Sequence, residues 1–250
     1  MCANYGGSFS ETGTSSFMAV QEVRPVANCG ATACNSWLTA ITVQVPFELQ
    51  AVGSATLYIG DTAFPPGYGL SADAVVYPDQ IHIRSACDTL AGDFRTQPVD
   101  GSGLPCASTV THVDGSVVSF NSPATAGEEL VAYAVGLGQT TPPLTTGKLV
   151  TAAAPTQATL GLDFNYRPNA LAAKPLPSAP APIFAGATPG YVGLYQVNFV
   201  VPPVPSGTPP CADPSTVPFG QNVVQSNLTV SVGGKFSFDG ARICVAVPSQ

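Results

Sequence analysis

The stretch Leu194-Tyr-Gln-Val-Asn-Phe-Val-Val-Pro202 alternates apolar Tyr195, Val197 and Phe199 with polar Gln196 and Asn198 before it stops at a proline. Successive side chains of a strand point to opposite faces, so the pattern predicts a strand with one face on a core and the other toward solvent. Past Gly207 and an insertion carrying Cys211, Asn227-Leu-Thr-Val-Ser-Val-Gly233 repeats the alternation and closes on glycine. An earlier segment has the same plan: Ala40-Ile-Thr-Val-Gln-Val-Pro46 leads through Gly53 to Ala55-Thr-Leu-Tyr-Ile-Gly60. A Pro-ended strand, a Gly-bearing turn region and a second strand, occurring twice, predict two similar sandwiches.

Further strands are expected at Ser16 to Val23, Ser71 to Val76, Gln80 to Arg84, Ser116 to Phe120, Glu129 to Val135, Leu160 to Tyr166 and Arg242 to Val247. Composition agrees with an all-β fold. The 250 residues include 25 Gly and 25 Pro, and proline fixes φ and removes a backbone donor, which disfavours long helices. Hydrophobic residues make up 45% and the mean hydropathy is +0.25, so a real core is available despite the Pro and Gly. Residues 86–109 are rich in Gly, Asp and Pro without periodicity and read as a stapled linker. They separate a first sandwich over 1–85, with fewer strands, from a second over 110–250. Pro168 to Pro182 reads as an extended surface segment.

Seven cysteines in a Thr- and Pro-rich β chain point to disulfides and an oxidising compartment. Spacing suggests Cys29 with Cys34, Cys87 with Cys106 and Cys211 with Cys244, although six cysteines allow many connectivities. Cys2 is left over as a free thiol, a bond to a neighbouring chain, or the lipidated first residue of a mature lipoprotein. No apolar run is long enough to span a bilayer, because Pro and Gly interrupt each one, Ala181 to Val201 included. Met1 is followed at once by Cys2, Asn4 and Gly6, so secretion requires this to be a processed form. The net charge of -7 and the scatter of eight basic residues from Arg24 to Arg242 argue against a phosphate-binding surface and a nucleic-acid partner.

No catalytic, cofactor-binding or metal-ligating residue is expected. A Ser/His/acid site would need His82 or His112, and neither lies near a G-x-S-x-G turn. His82 alternates with Ile81 and Ile83 on a strand, and His112 precedes an Asp114-Gly115 turn. No second paired set of ligands completes a zinc shell around Cys29 and Cys34, and Asp88, Asp93 and Asp100 are too widely spaced for a calcium loop. Glu128 and Glu129 point to opposite faces if they begin a strand, and read as solvated strand-edge charges. Tyr5, Tyr68, Tyr191, Tyr195 and Trp37 offer flat faces for sugar rings, but such aromatics more often pack a core. Asn227-Leu228-Thr229 is a glycosylation sequon.

A resemblance adds to this reading. Asp114-Gly-Ser, Asn121-Ser-Pro-Ala, Ala126-Gly-Glu-Glu-Leu-Val-Ala-Tyr-Ala-Val-Gly-Leu-Gly-Gln-Thr-Thr-Pro142 and Phe184-Ala-Gly-Ala-Thr-Pro-Gly-Tyr-Val-Gly-Leu-Tyr-Gln-Val-Asn198 form one set of motifs; Ile41-Thr-Val-Gln-Val-Pro-Phe-Glu-Leu49 is another. Over roughly residues 37–248 the chain resembles an uncharacterised C-terminal domain of large secreted acidobacterial proteins. That family is similar to immunoglobulin-like (TIG-like) sandwiches, so the resemblance implies two such halves and carries no activity or ligand; the disulfide-stapled loops rest on the cysteine spacing alone. Cys2 to Cys34 and the Cys-bearing insertions depart from the family pattern.

The expectation is therefore a secreted or cell-surface structural subunit and not an enzyme. It would form a homo-oligomer or polymer by adding its N-terminal segment as a strand to a neighbour. A module binding glycans or a cell surface is the alternative.

Overall fold

The computed structural model describes residues 5–11, 14–29, 34–47, 53–61, 69–76, 81–85, 109–166, 181–208, 211, 226–232, 235–236 and 241–247. Among these the chain is all-β, as expected: fifteen strands joined in antiparallel ladders, and no helix. None of the described residues thus forms a helix long and apolar enough to cross a membrane. The chain divides into two compact units. The first comprises Met1–Pro78, Thr141–Ala152 and Pro189–Gly193, and the second Asp79–Thr140, Ala153–Thr188 and Leu194–Gln250. The first break falls after Pro78, ahead of the linker read at 86–109, and no shift in composition marks the two later returns to the first unit.

In the first unit, β1 (Tyr5–Glu11), β2 (Thr14–Cys29), β3 (Cys34–Gln44), β4 (Gly53–Asp61) and β5 (Gly69–Val76) form one sheet in the order β3-β2-β1-β4-β5. Sequence reading foresaw only Ser16 to Val23 of the N-terminal part. The structure adds β1 and lengthens β2 to 16 residues. β2 serves two partners in succession, with Thr14 to Met18 against β1 and Ala19 to Cys29 against β3. Pro25 lies in the latter stretch, where the only paired neighbour among the described residues is β3; a strand residue without an N–H is tolerated where one side is unpaired. A bulge between Val20 and Glu22 leaves Gln21 out of register, and its amide donates to the Val192 carbonyl at 3.2 Å. At the end of β3, the Gln44 Oε1 accepts from the Gly147 N–H at 2.8 Å, and the Phe47 N–H donates to the Thr146 Oγ1 at 2.8 Å. These bonds tie the 141–152 return to the sheet.

The second unit holds β6 (His82–Ile83), β7 (Val110–His112), β8 (Glu129–Val135), β9 (Ala154–Pro155), β10 (Leu160–Asn165), β11 (Phe184–Ala187), β12 (Tyr195–Val200), β13 (Ser226–Val232), β14 (Lys235–Phe236) and β15 (Ala241–Ile243). One sheet runs β6-β8-β12-β11-β9, with β7 also paired to β8; another joins β10 to β13, and β13 to both β14 and β15. β6 and β7 lie end to end along β8: the Thr109 N–H donates to the Arg84 carbonyl at 2.7 Å, so the chain resumes the edge where it left it.

The alternation read in the quoted strand is realised. Tyr195, Val197 and Phe199 are buried, while Gln196 and Asn198 lie on the other face. Opposite them, Leu130, Ala132 and Ala134 of β8 are fully buried. On the polar face, the Gln196 amide donates to Asn198 and the Asn198 amide to Glu129, each at 3.0 Å. Phe164 of β10 meets Phe199 of β12 with ring centroids 6.0 Å apart, so the two sheets of this unit share an apolar contact. Burial pushes the Tyr166 phenol up to about 12, and its hydroxyl donates to the Pro202 carbonyl. A disulfide joins Cys211 to Cys244, with Cα atoms 5.6 Å apart. Beside it, Ala124 bridges to the chain at Val245, donating to the Cys244 carbonyl at 2.9 Å and accepting from Ala246 at 2.7 Å.

A Cβ on Gly186 would lie 2.2 Å from the Ala154 carbonyl oxygen, across the β9–β11 pair, whereas one on Gly127 meets nothing within 4 Å and suffers only its φ of +83. In urea melts Gly186→Ala should therefore cost about 3 kcal/mol, and Gly127→Ala about 1 kcal/mol. Replacing both Cys211 and Cys244 by alanine releases a loop with a sequence separation of 33. That should lower the unfolding free energy by about 3 kcal/mol in the same assay.

Candidate functional site

Three consecutive turns at the β7–β8 end of the second unit converge on one imidazole. The first is the Asp114-Gly115 turn. The Gly115 N–H donates to the His112 carbonyl at 3.0 Å and the His112 N–H to the Ser116 carbonyl at 2.9 Å, which makes a hairpin loop of Val113, Asp114 and Gly115. Gly115 has φ +86, a left-handed position open to glycine at little cost. The Asp114 carboxylate accepts from the Ser116 hydroxyl at 2.6 Å and from its N–H at 2.9 Å; these bonds hold it below the usual carboxylate range. In the second turn, Ser119 and Ser122 exchange backbone bonds at 3.0 and 3.2 Å. In the third, the Glu128 N–H donates to the Thr125 carbonyl at 3.1 Å, and Glu128 Oε2 accepts from the Thr125 N–H at 2.8 Å and from its hydroxyl at 3.1 Å.

Strand register brings these turns together. His112 is directly opposite Leu130 in the β7–β8 ladder, so Glu128 is its diagonal neighbour two residues along, within reach of a long side chain. His112 Nδ1 meets Glu128 Oε1, while Nε2 lies 3.2 Å from the Ser122 carbonyl oxygen and 3.3 Å from Ser122 Oγ. The side chains of His112 and Glu128 are 14% and 25% exposed, and Ser122 is exposed. His112, Val113, Asp114, Ser116, Ser122, Glu128 and Glu129 line an open pocket of about 370 Å³.

The electrostatics follow from the geometry. The hydrogen bond to Glu128 raises the pKa of His112 most; partial burial opposes it, and the Ser122 carbonyl and the charges of Glu128 and Asp114 add to the rise. Burial pushes the Glu128 carboxyl up, but the bonds from His112 and Thr125 together outweigh it and leave the value lowered. Glu128 and Glu129 do diverge, the first to His112 and the second to Asn198, yet neither is a freely solvated charge as expected from sequence: each is half-buried and hydrogen-bonded.

The other sequence-derived candidates fall elsewhere. Cys29 and Cys34 are cross-strand partners closing the β2–β3 hairpin. Cys2, Cys87, Cys106 and Tyr68 lie outside the described residues. Asn227 sits within β13, paired to Asn165 on one side and Arg242 on the other. His82 occupies the position between buried Ile81 and Ile83 that alternation assigned it. Of the proposed sugar platform, Tyr195 is 2% exposed and donates its hydroxyl to the Gly138 carbonyl, so it is a core residue, whereas Tyr191 is 55% exposed. Sequence reasoning passed over Ser122 and the His112–Glu128 pair, because residues ten and sixteen positions from His112 belong to no fixed motif. The available signal was the Asp-Gly turn, which sends the chain back past His112.

The pair has a definite pH signature. His112, with its folded pKa above the ordinary 6.5, contributes stability that is full below that value and lost as pH rises through the folded one. Glu128, lowered from 4.5, contributes above that value and loses its contribution as pH falls through the folded one. Both act between these two ordinary values. Glu128→Gln should cost about 1 kcal/mol there for a partly exposed pair, and less at alkaline pH, as read by urea melts across the range.

No family model, curated protein or solved structure matches the chain.

Proposed function

We propose that the protein is an extracellular structural subunit that assembles into a surface fibre or layer by β-strand addition. On this reading its two units are immunoglobulin-like halves related to the secreted acidobacterial domain. The observation that supports it most directly is the β2–β3 ribbon. β3 is 11 residues long and pairs only with β2 among the described residues, leaving a long row of backbone donors and acceptors along an edge. Such an edge is a template for another strand. The ribbon carries Val20, Val23 and Thr39 exposed, with no compensating run of charge. The N-terminal segment is not the donor in this scheme, because β1 is paired on both sides, to β2 and β4, within its own sheet. The edge of β3 takes that role.

Electron microscopy of the purified chain under non-reducing conditions tests the reading. Regular filaments or sheets are expected, and Thr39→Lys, which sets a charge on the open edge, should abolish them while leaving the melting temperature within a few degrees. Dispersed particles at high protein concentration would overturn the proposal and turn attention to glycan binding around Tyr191.

A further inference from the structure

We infer that Ser122 is a nucleophile, activated by His112 and oriented through Glu128, that hydrolyses small carboxylic esters at the pocket of the second unit. Two of the contacts of a nucleophilic site are present: nucleophile to base, Ser122 Oγ to His112 Nε2 at 3.3 Å, and base to orienting acid, His112 Nδ1 to Glu128 Oε1. Glu128 is held in place, since its other oxygen takes the N–H and hydroxyl of Thr125. A carboxylate so placed keeps the ring proton on Nδ1 and leaves Nε2 as the proton acceptor. Ser122 opens to solvent on the pocket wall, and Val113, 70% exposed, supplies an apolar surface for a short acyl chain.

The carbonyl of Ser122 gates the relay. It lies 3.2 Å from Nε2, so a doubly protonated ring donates there and offers no base to the hydroxyl. Once that proton leaves, the Nε2 lone pair can accept from Ser122 Oγ–H. The charged groups around the ring are Glu128 on the third turn, Asp114 on the hairpin and Glu129 on the pocket wall, the last engaged by Asn198. The first two favour the cation, so the relay operates on the alkaline side of the His112 pKa.

In the reaction, Oγ adds to the ester carbonyl carbon as its proton passes to Nε2. The adduct then expels the alkoxide, which takes that proton and departs as an alcohol. Water, deprotonated by Nε2, attacks the acyl-serine. The carboxylic acid leaves and Ser122 regains its hydroxyl. Ser122 and His112 touch the reacting atoms, whereas Glu128 is a positioning residue.

Labelling of the full chain with a fluorophosphonate, mapped by peptide mass spectrometry across the pH range, tests this. Oγ displaces fluoride from phosphorus without help from any other reactant. Ser122 should label about 100-fold faster than Ser119, its partner in the same turn, with a rate that climbs as His112 loses its proton. His112→Gln should abolish that advantage, and Glu128→Gln should shift the pH midpoint downward. Because removing the imidazole also loosens the turns, the pH profile of the unaltered chain is the second measurement. Labelling of Ser122 no faster than Ser119 at every pH, or unchanged in His112→Gln, overturns the inference. Ser122 lies in the second unit and β3 in the first, so failure here leaves the filament experiment standing, and failure there leaves this one.

Discussion

β8 and β12 pair in unbroken register from Glu129↔Val200 to Ala134↔Tyr195, and the second unit is organised around that ladder. Directly opposed residues share a face, so the register sets Leu130, Ala132 and Ala134 beside Tyr195, Val197 and Phe199 on the buried side. A one-residue slip would turn one strand's entire apolar set outward while Glu129, Gln196 and Asn198 lost their chain of amide and carboxylate bonds. The same ladder places β7, which pairs along the far side of β8, and hence His112 opposite Leu130. Core and pocket are therefore consequences of one register. The Gly127 N–H and Glu128 carbonyl each bond to Val201, which anchors the third turn to the end of β12.

Sequence reading succeeded where a pattern of period two could be seen directly. Leu160 to Tyr166 and the quoted strand alternate, and Glu129 to Val135 is a short apolar run closed by Gly136, so all three were found within a residue or two. It failed at β1, whose Tyr5-Gly-Gly-Ser-Phe-Ser-Glu11 holds only two large apolar residues and two glycines. Such a strand is set by its neighbours: β1 is hydrogen-bonded on both sides, and partners supply what intrinsic propensity lacks. The make-up of the two compact units rests on contacts of another kind. Segments 141–152 and 189–193 join the first unit through contacts such as Gly147 to Gln44 and Gln21 to Val192, about a hundred or more positions apart in sequence. No local window contains both ends of such a bond.

The site was half visible. The Asp114-Gly115 turn and the start of β8 at Glu129 were both read correctly, and together they imply that residues before and after the turn meet near β8. What could not be read is which side chains then face each other, because that depends on the diagonal offset across the β7–β8 ladder and on the 119–122 turn folding back over His112. Ser122 supplies both its carbonyl and its hydroxyl to the same ring nitrogen. A histidine flanked by a carboxylate on one nitrogen and a carbonyl on the other is most stable as a cation, and a cation is the form that cannot accept a proton. The arrangement that secures three turns at acidic pH thus competes with the chemistry available once the proton has left.

The two units manage their sheet edges differently, and this difference bears on where a partner can attach. In the second unit the far side of β8 carries β6 and β7 end to end, and the Ala124 bridge and the Cys211–Cys244 disulfide tie the chain just past β15, while β9 and β10 each have one strand partner among the described residues. In the first unit, the stretch of β2 from Ala19 to Cys29 and the whole of β3 form a ribbon whose outer edges have no strand partner among the described residues. Pro25 removes one donor from the β2 side, and the Gln21 bulge breaks its regular spacing, both of which discourage strand addition there. β3 contains neither a proline nor a lysine or other charged residue between Cys34 and Gln44. By these physical criteria β3 is the less protected of the ribbon's two edges, and the strand addition proposed above is placed there for that reason.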